Sequence, residues 1–141
     1  MITKFEGEYR FLSNFYPCRI ICEHGVYPSV EHAYQATKTV IAAEREKIQK
    51  ASTPAAAKKL GQTVTMREDW DKIKDQVMKG LIFIKFLSNS DLEKKLLDTK
   101  EEFIQEGNYW HDTYWGVDLA TGKGHNKLGK ILMEVRDYLM Q

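Results

Sequence analysis

The sequence predicts a mainly α fold, α+β with a minor β-hairpin element, in a single domain spanning residues 1–141. Three observations carry this expectation. Apolar residues recur at threes and fours over several stretches, which is the helical period. One short alternating stretch flanked by turn residues precedes them. A chain of 141 residues suits one hydrophobic core of ordinary size and is short for two.

Residues 18–28, C-R-I-I-C-E-H-G-V-Y-P, read as a hairpin turning at His24-Gly25. From Ser29 the period changes. Val30, Ala33, Thr37, Val40 and Ile41 fall on one arc at about 100° per residue, which predicts an amphipathic helix to about Lys50 with Ser29 as its N-cap. Thr53 and Pro54 start a second helix, with proline at the first helical position, and Gly61 ends it. Trp70, Ile73, Val77, Leu81, Ile84 and Leu87 predict a long core helix over 67–88 in spite of Gly80. Ser90 with Glu93 has the capping-box pattern and opens a short helix carrying Leu92, Leu96 and Leu97. Residues 101–126, aromatic first and glycine-rich later, predict loop. Leu128, Ile131, Leu132, Val135 and Leu139 form a last helical stripe behind Asn126, the expected cap.

Lysine and arginine number 21 against 20 acids, so net charge alone draws the chain to neither nucleic acid nor an anionic membrane. The start, M-I-T-K-F-E-G-E, lacks the apolar core of a secretory signal, and the most apolar run, Leu81 to Leu87, is short and broken by Lys85. The expected setting is cytoplasmic, with no membrane segment. Cys18 and Cys22 are too close in sequence for a framework disulfide and read as free thiols. His24 follows them, but His32, His111 and His125 supply no second half of a zinc pattern, so no metal site is expected.

Three constellations could carry chemistry. Glu31 and Gln35 stand one helical turn apart, with Tyr34 beside them. Lys38 lies about 10.5 Å farther along the axis than Glu31, too far for a simple ion pair. Its long stem leans back toward the helix start, so acid and amine can meet one ligand from two ends. The segment G-H-N-K-L-G-K-I, from Gly124 to Ile131, has the spacing of a phosphate-binding loop but puts Ile131 where magnesium needs a hydroxyl. A nucleoside triphosphatase is therefore rejected; a glycine-rich approach to a helix N-terminus with Lys123, Asn126 and Lys127 remains, alongside a plain capped turn. The stretch N-Y-W-H-D-T-Y-W-G-V-D, residues 108–118, crowds two tryptophans, two tyrosines and two acids into one loop, a composition suited to stacking on a flat ring or to plugging the core's edge.

F-L-S-N-F-Y-P (11–17), Y-P-S-V-E-H-A-Y-Q-A-T-K (27–38), D-T-Y-W-G-V (112–117) and N-K-L-G-K-I-L-M-E-V-R (126–136) occur in that order. Together they resemble the NADAR family, the YbiA-like N-glycosidases, from about residue 5 to 139, and P-A-A-A-K-K-L-G (54–61) resembles the family's middle segment. The resemblance implies a YbiA-like helical fold and hydrolysis of N-glycosidic bonds in ribosylated compounds. The implied substrates are ribosylamino-pyrimidine phosphates, early riboflavin intermediates, with release of ribose 5-phosphate. Removal of ADP-ribose from modified guanine in nucleic acid is the alternative activity, and a non-catalytic ADP-ribose or NAD binding module is the alternative of another class. Neither activity implies a metal or redox cofactor, and nucleic acid is a partner only under the alternative. The family's motifs carry over to Asn14, Glu31, Gln35, Lys38, Trp115, Gly116, Asn126 and Gly129. The family often shows glycine where this chain has Asp118, so the loop acid is Asp112 or Asp118, and Asp112 fits the D-x-x-W-G pattern.

Breaking a C1′–N bond builds positive charge on the ribose and calls for a nearby carboxylate and a proton for the departing nitrogen. The expected roles follow: Glu31 activates water or stabilises the cationic centre, Asp112 is the second acid, and Trp115 stacks on the base. Lys38 and Asn14 hold sugar or phosphate, with Arg10 and Lys127 as further phosphate contacts. This reading expects the helix carrying Glu31 and the loop carrying Trp115 to enclose one small space.

Overall fold

The computed structural model describes residues 1–141 and divides into two units, one of Asn14–Ser88 and a discontinuous one of Met1–Ser13 with Asn89–Gln141. Each is described by itself.

In the Asn14–Ser88 unit, strands β1 (Ile20–Cys22) and β2 (Gly25–Tyr27) pair antiparallel with Cys22 opposite Gly25. The turn is therefore Glu23-His24, one residue earlier than expected, and Gly25, at φ +131°, opens the second strand in a conformation that favours glycine. Cys18 and Cys22 are free and half-buried. Helix α1 (Val30–Thr37) starts as expected, with Ser29 Oγ accepting the His32 N–H. The single helix expected to reach Lys50 is instead two, because α1 stops at Thr37 and α2 (Ala42–Gln49) restarts the chain. The cause lies in T-K-T-V-I. Its β-branched side chains are restricted on a helix, and Thr39 offers the backbone other partners. Its Oγ1 accepts the Ile41 N–H and donates to Glu44, and its carbonyl accepts from Arg45 Nε. Val40 and Ile41, expected on the buried arc, are consequently exposed.

Helix α3 (Pro54–Gly61) is capped by Thr53 Oγ1, which accepts the Ala56 N–H. Helix α4 (Trp70–Leu87) runs unbroken through Gly80, but its buried stripe is Trp70, Met78, Leu81, Ile82, Lys85 and Phe86. Ile73, Val77 and Ile84 are only half-buried and Leu87 is exposed, so the core-facing stripe is rotated from the expected one. Lys85 joins that stripe because its ammonium lies 5.2 Å from the Phe86 ring centroid and 5.8 Å from that of Tyr16. Helix α1 packs against α2, α3, α4 and both strands, which leaves all 8 of its residues buried. A helix enclosed on every side that still carries Glu31, His32 and Gln35 must satisfy those polar groups internally.

In the other unit a 3-10 helix spans Gly7–Leu12, and Ile2 forms a parallel bridge to Ile104. Helix α5 (Ser90–Leu97) packs on α6 (Lys127–Leu139), with Leu92, Leu96, Leu128, Ile131, Leu132 and Val135 buried. Ser90 is the first residue of α5 and not its cap. Asn89, extended at φ −130°, takes the cap position and its carbonyl accepts the Glu93 N–H, so the expected capping box does not form. The 101–126 stretch is loop as expected, apart from a two-residue parallel pairing of β3 (Gly107–Asn108) with β4 (Val117–Asp118). No helix is long and apolar enough to cross a membrane.

Candidate active site

Helix α1 and the segment before it build one polar cluster. The Ser29 cap puts Glu31 at the second helical position, and its N–H donates to the Asn14 carbonyl at 3.1 Å. The Glu31 side chain is 8% exposed, and its Oε2 accepts from Gln35 Nε2 at 2.6 Å. Gln35, one turn on, is 4% exposed, and its Oε1 has no hydrogen-bond partner. Asn14 is likewise buried, with Nδ2 directed at Met78 Sδ at 3.4 Å and Oδ1 unpartnered. The chain thus sets a carboxylate against the Gln35 amide and away from bulk water, where its field is least screened.

Lys38 follows the last turn of α1, and its ammonium sits 6.0 Å from the Tyr34 ring centroid. Burial pushes its pKa below the ordinary lysine value; the Glu31 charge opposes that shift, while Lys58 and Lys74 add to it. Acid and amine of this segment therefore act on each other electrostatically within one unit. Tyr34 is buried, and its ring packs against Trp70 at 5.0 Å between centroids.

The other unit holds the remaining assigned residues. Asp112 Oδ1 accepts the N–H groups of Tyr114 and Trp115 at 3.0 and 2.9 Å, which bends the loop around the carboxylate. Asn108 closes the same loop, exchanging hydrogen bonds with the Asp112 backbone and donating to Glu106 Oε2. Trp115 is half-buried and meets Tyr114 edge-on, 4.9 Å apart. Lys127 Nζ lies 4.4 Å from the Tyr114 ring centroid and 3.3 Å from its hydroxyl. Arg10, on the 3-10 helix, is exposed and reaches Ser13 Oγ at 3.5 Å.

Gly116 and Gly129 have steric reasons. A Cβ on Gly116 would fall 1.7 Å from Glu106 Oε2, and one on Gly129 would fall 2.3 Å from the Ile104 carbonyl and 2.4 Å from Asn126 Oδ1. Asn126 precedes α6 as expected but at φ 51°, ψ 39°, with no side-chain cap bond. Its side chain instead accepts from the Glu106 N–H and donates to the Ile104 carbonyl, pinning the loop to the helix start.

Sequence reasoning missed several residues of these clusters. Glu106 and Asn108 flank Gly107 in a stretch without period, and nothing in their spacing marks them. His32 links Ser29 to the Ala51 carbonyl and was considered only as a metal ligand. Asp118 is buried, and its Oδ2 meets His111 Nδ1 at 2.8 Å, an interaction that lowers the Asp118 pKa. The sequence offered Asp118 only as the alternative loop acid.

The family model described as the NADAR domain matches residues 3–140. A riboflavin biosynthesis protein of Vibrio vulnificus, VVA0006, is 39% identical over 133 residues, covering 93% of this chain but 36% of that longer protein. The N-glycosidase Npun_R5314 of Nostoc punctiforme is 40% identical, covering 92% of this chain and 85% of its own length. The solution structure of Escherichia coli YbiA superposes with a TM-score of 0.86 at 34% identity, covering 99% of this chain and 85% of that one. The mainly helical architecture with its small hairpin is thus that of YbiA, and the chain belongs to the NADAR domain family.

Proposed function

We propose that this chain is an N-glycosidase that hydrolyses the C1′–N bond of ribosylamino-pyrimidine phosphates, intermediates of riboflavin synthesis, and releases ribose 5-phosphate. The observation that carries the proposal is the buried Glu31 carboxylate, held by Gln35 and electrostatically coupled to Lys38, with the Glu31 backbone N–H fixed on the Asn14 carbonyl. Relatives named N-glycosidase and riboflavin biosynthesis protein support the same chemistry.

Cleavage moves the bonding electron pair onto nitrogen and leaves positive charge shared between C1′ and the ring oxygen. A carboxylate already desolvated and oriented stabilises that charge without reorganising at the moment of reaction. Water then adds at C1′ and loses a proton, and the departing nitrogen gains one. Lys38 suits the 5-phosphate, because burial disfavours its charged form and an anion beside the ammonium offsets that cost. Tyr34 and Asn14 line the same stretch. Asp112, Trp115, Gly116 and Asn126 are assigned to substrate contact on the family pattern, Asp112 as second acid and Trp115 as the ring-stacking residue, and the cations Arg10 and Lys127 are assigned to the phosphate.

The test is incubation of the purified protein with a ribosylamino-pyrimidine phosphate. Free ribose 5-phosphate and free base accumulating in equal amounts support the proposal. Saturable binding with no release after prolonged incubation contradicts it and identifies a binding module. A second reading, hydrolysis of ADP-ribose from guanine in nucleic acid, is favoured by one observation: Tyr109 and Trp110 are 65% and 63% exposed, and adjacent exposed aromatics suit stacking on unpaired bases. Turnover of an ADP-ribosylated guanine oligonucleotide without turnover of the free nucleotide would select it.

A further inference from the structure

A carboxylate placed for catalysis needs something to hold it there. Glu31 Oε2 accepts from Gln35 Nε2 at 2.6 Å, and both residues lie on α1. The far end of the Gln35 amide meets α3. A Cβ built on Gly61 would stand 1.9 Å from Gln35 Oε1, 2.7 Å from its Cδ and 3.1 Å from its Cβ. Gly61 therefore works differently from the helix stop its position suggests: α3 ends there without the left-handed backbone that a glycine cap supplies. What the missing side chain provides is room for an amide.

Which way that amide points follows from charge. A carboxylate only accepts, so the nitrogen faces Glu31 and the oxygen faces Gly61. There Oε1 is buried without a partner, an arrangement that costs stability. A glutamine serving packing alone would turn its oxygen toward a donor, whereas this one leaves its oxygen bare and commits its nitrogen to Glu31.

We infer that Gln35 and Gly61 are positioning residues for Glu31: Gly61 seats the Gln35 amide, and the seated amide fixes the orientation of the carboxylate. This inference rests on the reading of Glu31 as the catalytic carboxylate. It assigns Gln35 to Glu31 and not to the substrate.

The experiment is a double-mutant cycle of Gly61→Ala and Gln35→Ala, read in kcat, in KM and in the unfolding midpoint. Gly61→Ala in the wild-type background displaces the amide, so kcat for ribose 5-phosphate release falls by about 10- to 100-fold while KM stays within about threefold. In the Gln35→Ala background the two closest contacts are gone, and Gly61→Ala changes kcat by less than about twofold. The unfolding midpoint behaves the same way with a change of sign. Gly61→Ala lowers it in the wild type, and leaves it unchanged or raises it when residue 35 is alanine, since alanine is the better helix former. Unchanged kcat in Gly61→Ala overturns the inference, as do equal losses in the two backgrounds or a loss confined to KM. Should Glu31→Gln retain full turnover, the reading of Glu31 falls; the midpoint cycle still decides whether Gly61 seats Gln35, because it needs no turnover.

Discussion

Replacing Ser29 with alanine removes one oxygen that makes two hydrogen bonds to His32. Ser29 Oγ accepts the His32 N–H at 3.1 Å and lies 2.7 Å from His32 Nδ1, while His32 Nε2 lies 3.0 Å from the Ala51 carbonyl. Because a carbonyl only accepts, the ring donates from Nε2 and takes the serine proton at Nδ1. Alanine can do neither task. The lost cap costs about 0.5–2 kcal/mol, and the stranded nitrogen of a buried ring adds about 1–3, so a loss of about 1.5–5 kcal/mol is expected. Unfolding entropy of about 2.1 cal/mol/K per residue gives about 0.3 kcal/mol/K for a chain of 141 residues. The midpoint should therefore fall by about 5–17 °C in Ser29→Ala, read by circular dichroism at two scan rates. A fall below about 3 °C would refute the two-bond account and leave Ser29 as an ordinary cap worth at most about 1 kcal/mol.

Gly129→Ala should destabilise by about 3 kcal/mol or more, because its Cβ would press on the Ile104 carbonyl and the Asn126 amide, neither of which can yield without breaking the Asn126–Ile104 hydrogen bond. A urea titration showing an unchanged midpoint contradicts this. Lys38 should give stability an alkaline dependence. Burial holds its folded-state pKa below the ordinary 10.5, so the charged form weakens the fold. Stability then rises as pH climbs through the window from the lowered value to 10.5, and it is least where Lys38 is charged in both states. Lys38→Met lacks that rise, so the difference between the two proteins shrinks with increasing pH; parallel curves would be evidence against it.

The helical character and the element order were legible because apolar period and capping signals are local. Ser29, Thr53 with Pro54, and the stripe after Asn126 mark helix starts that the structure retains. What could not be read depends on partners distant in sequence. Thr39 breaks the expected long helix by bonding to Glu44 and Arg45, and an apolar arc ending in Val40 and Ile41 cannot reveal that competition. Helix α1 looks amphipathic only when its partners are unknown; surrounded by α2, α3, α4 and the hairpin, its polar face is buried too. The same limit hid Gly61, whose neighbour Gln35 sits 26 residues earlier. A unit assembled from Met1–Ser13 and Asn89–Gln141 leaves no linker or shift in composition to find. Within the candidate site, Glu31, Gln35 and Lys38 were found by helical spacing and by the family motif, whereas Glu106 and Asn108 act through a loop that has no period.

The buried carboxylate on α1 is the centre of this account, and one comparison tests it most directly. Glu31→Gln keeps the size of the side chain and removes its charge. The variant should retain the unfolding midpoint within a few degrees yet lose ribose 5-phosphate release from a ribosylamino-pyrimidine phosphate by about 100-fold or more, the scale seen when a charge-stabilising group is removed. Turnover equal to the wild type in the folded variant would remove Glu31 from the reaction.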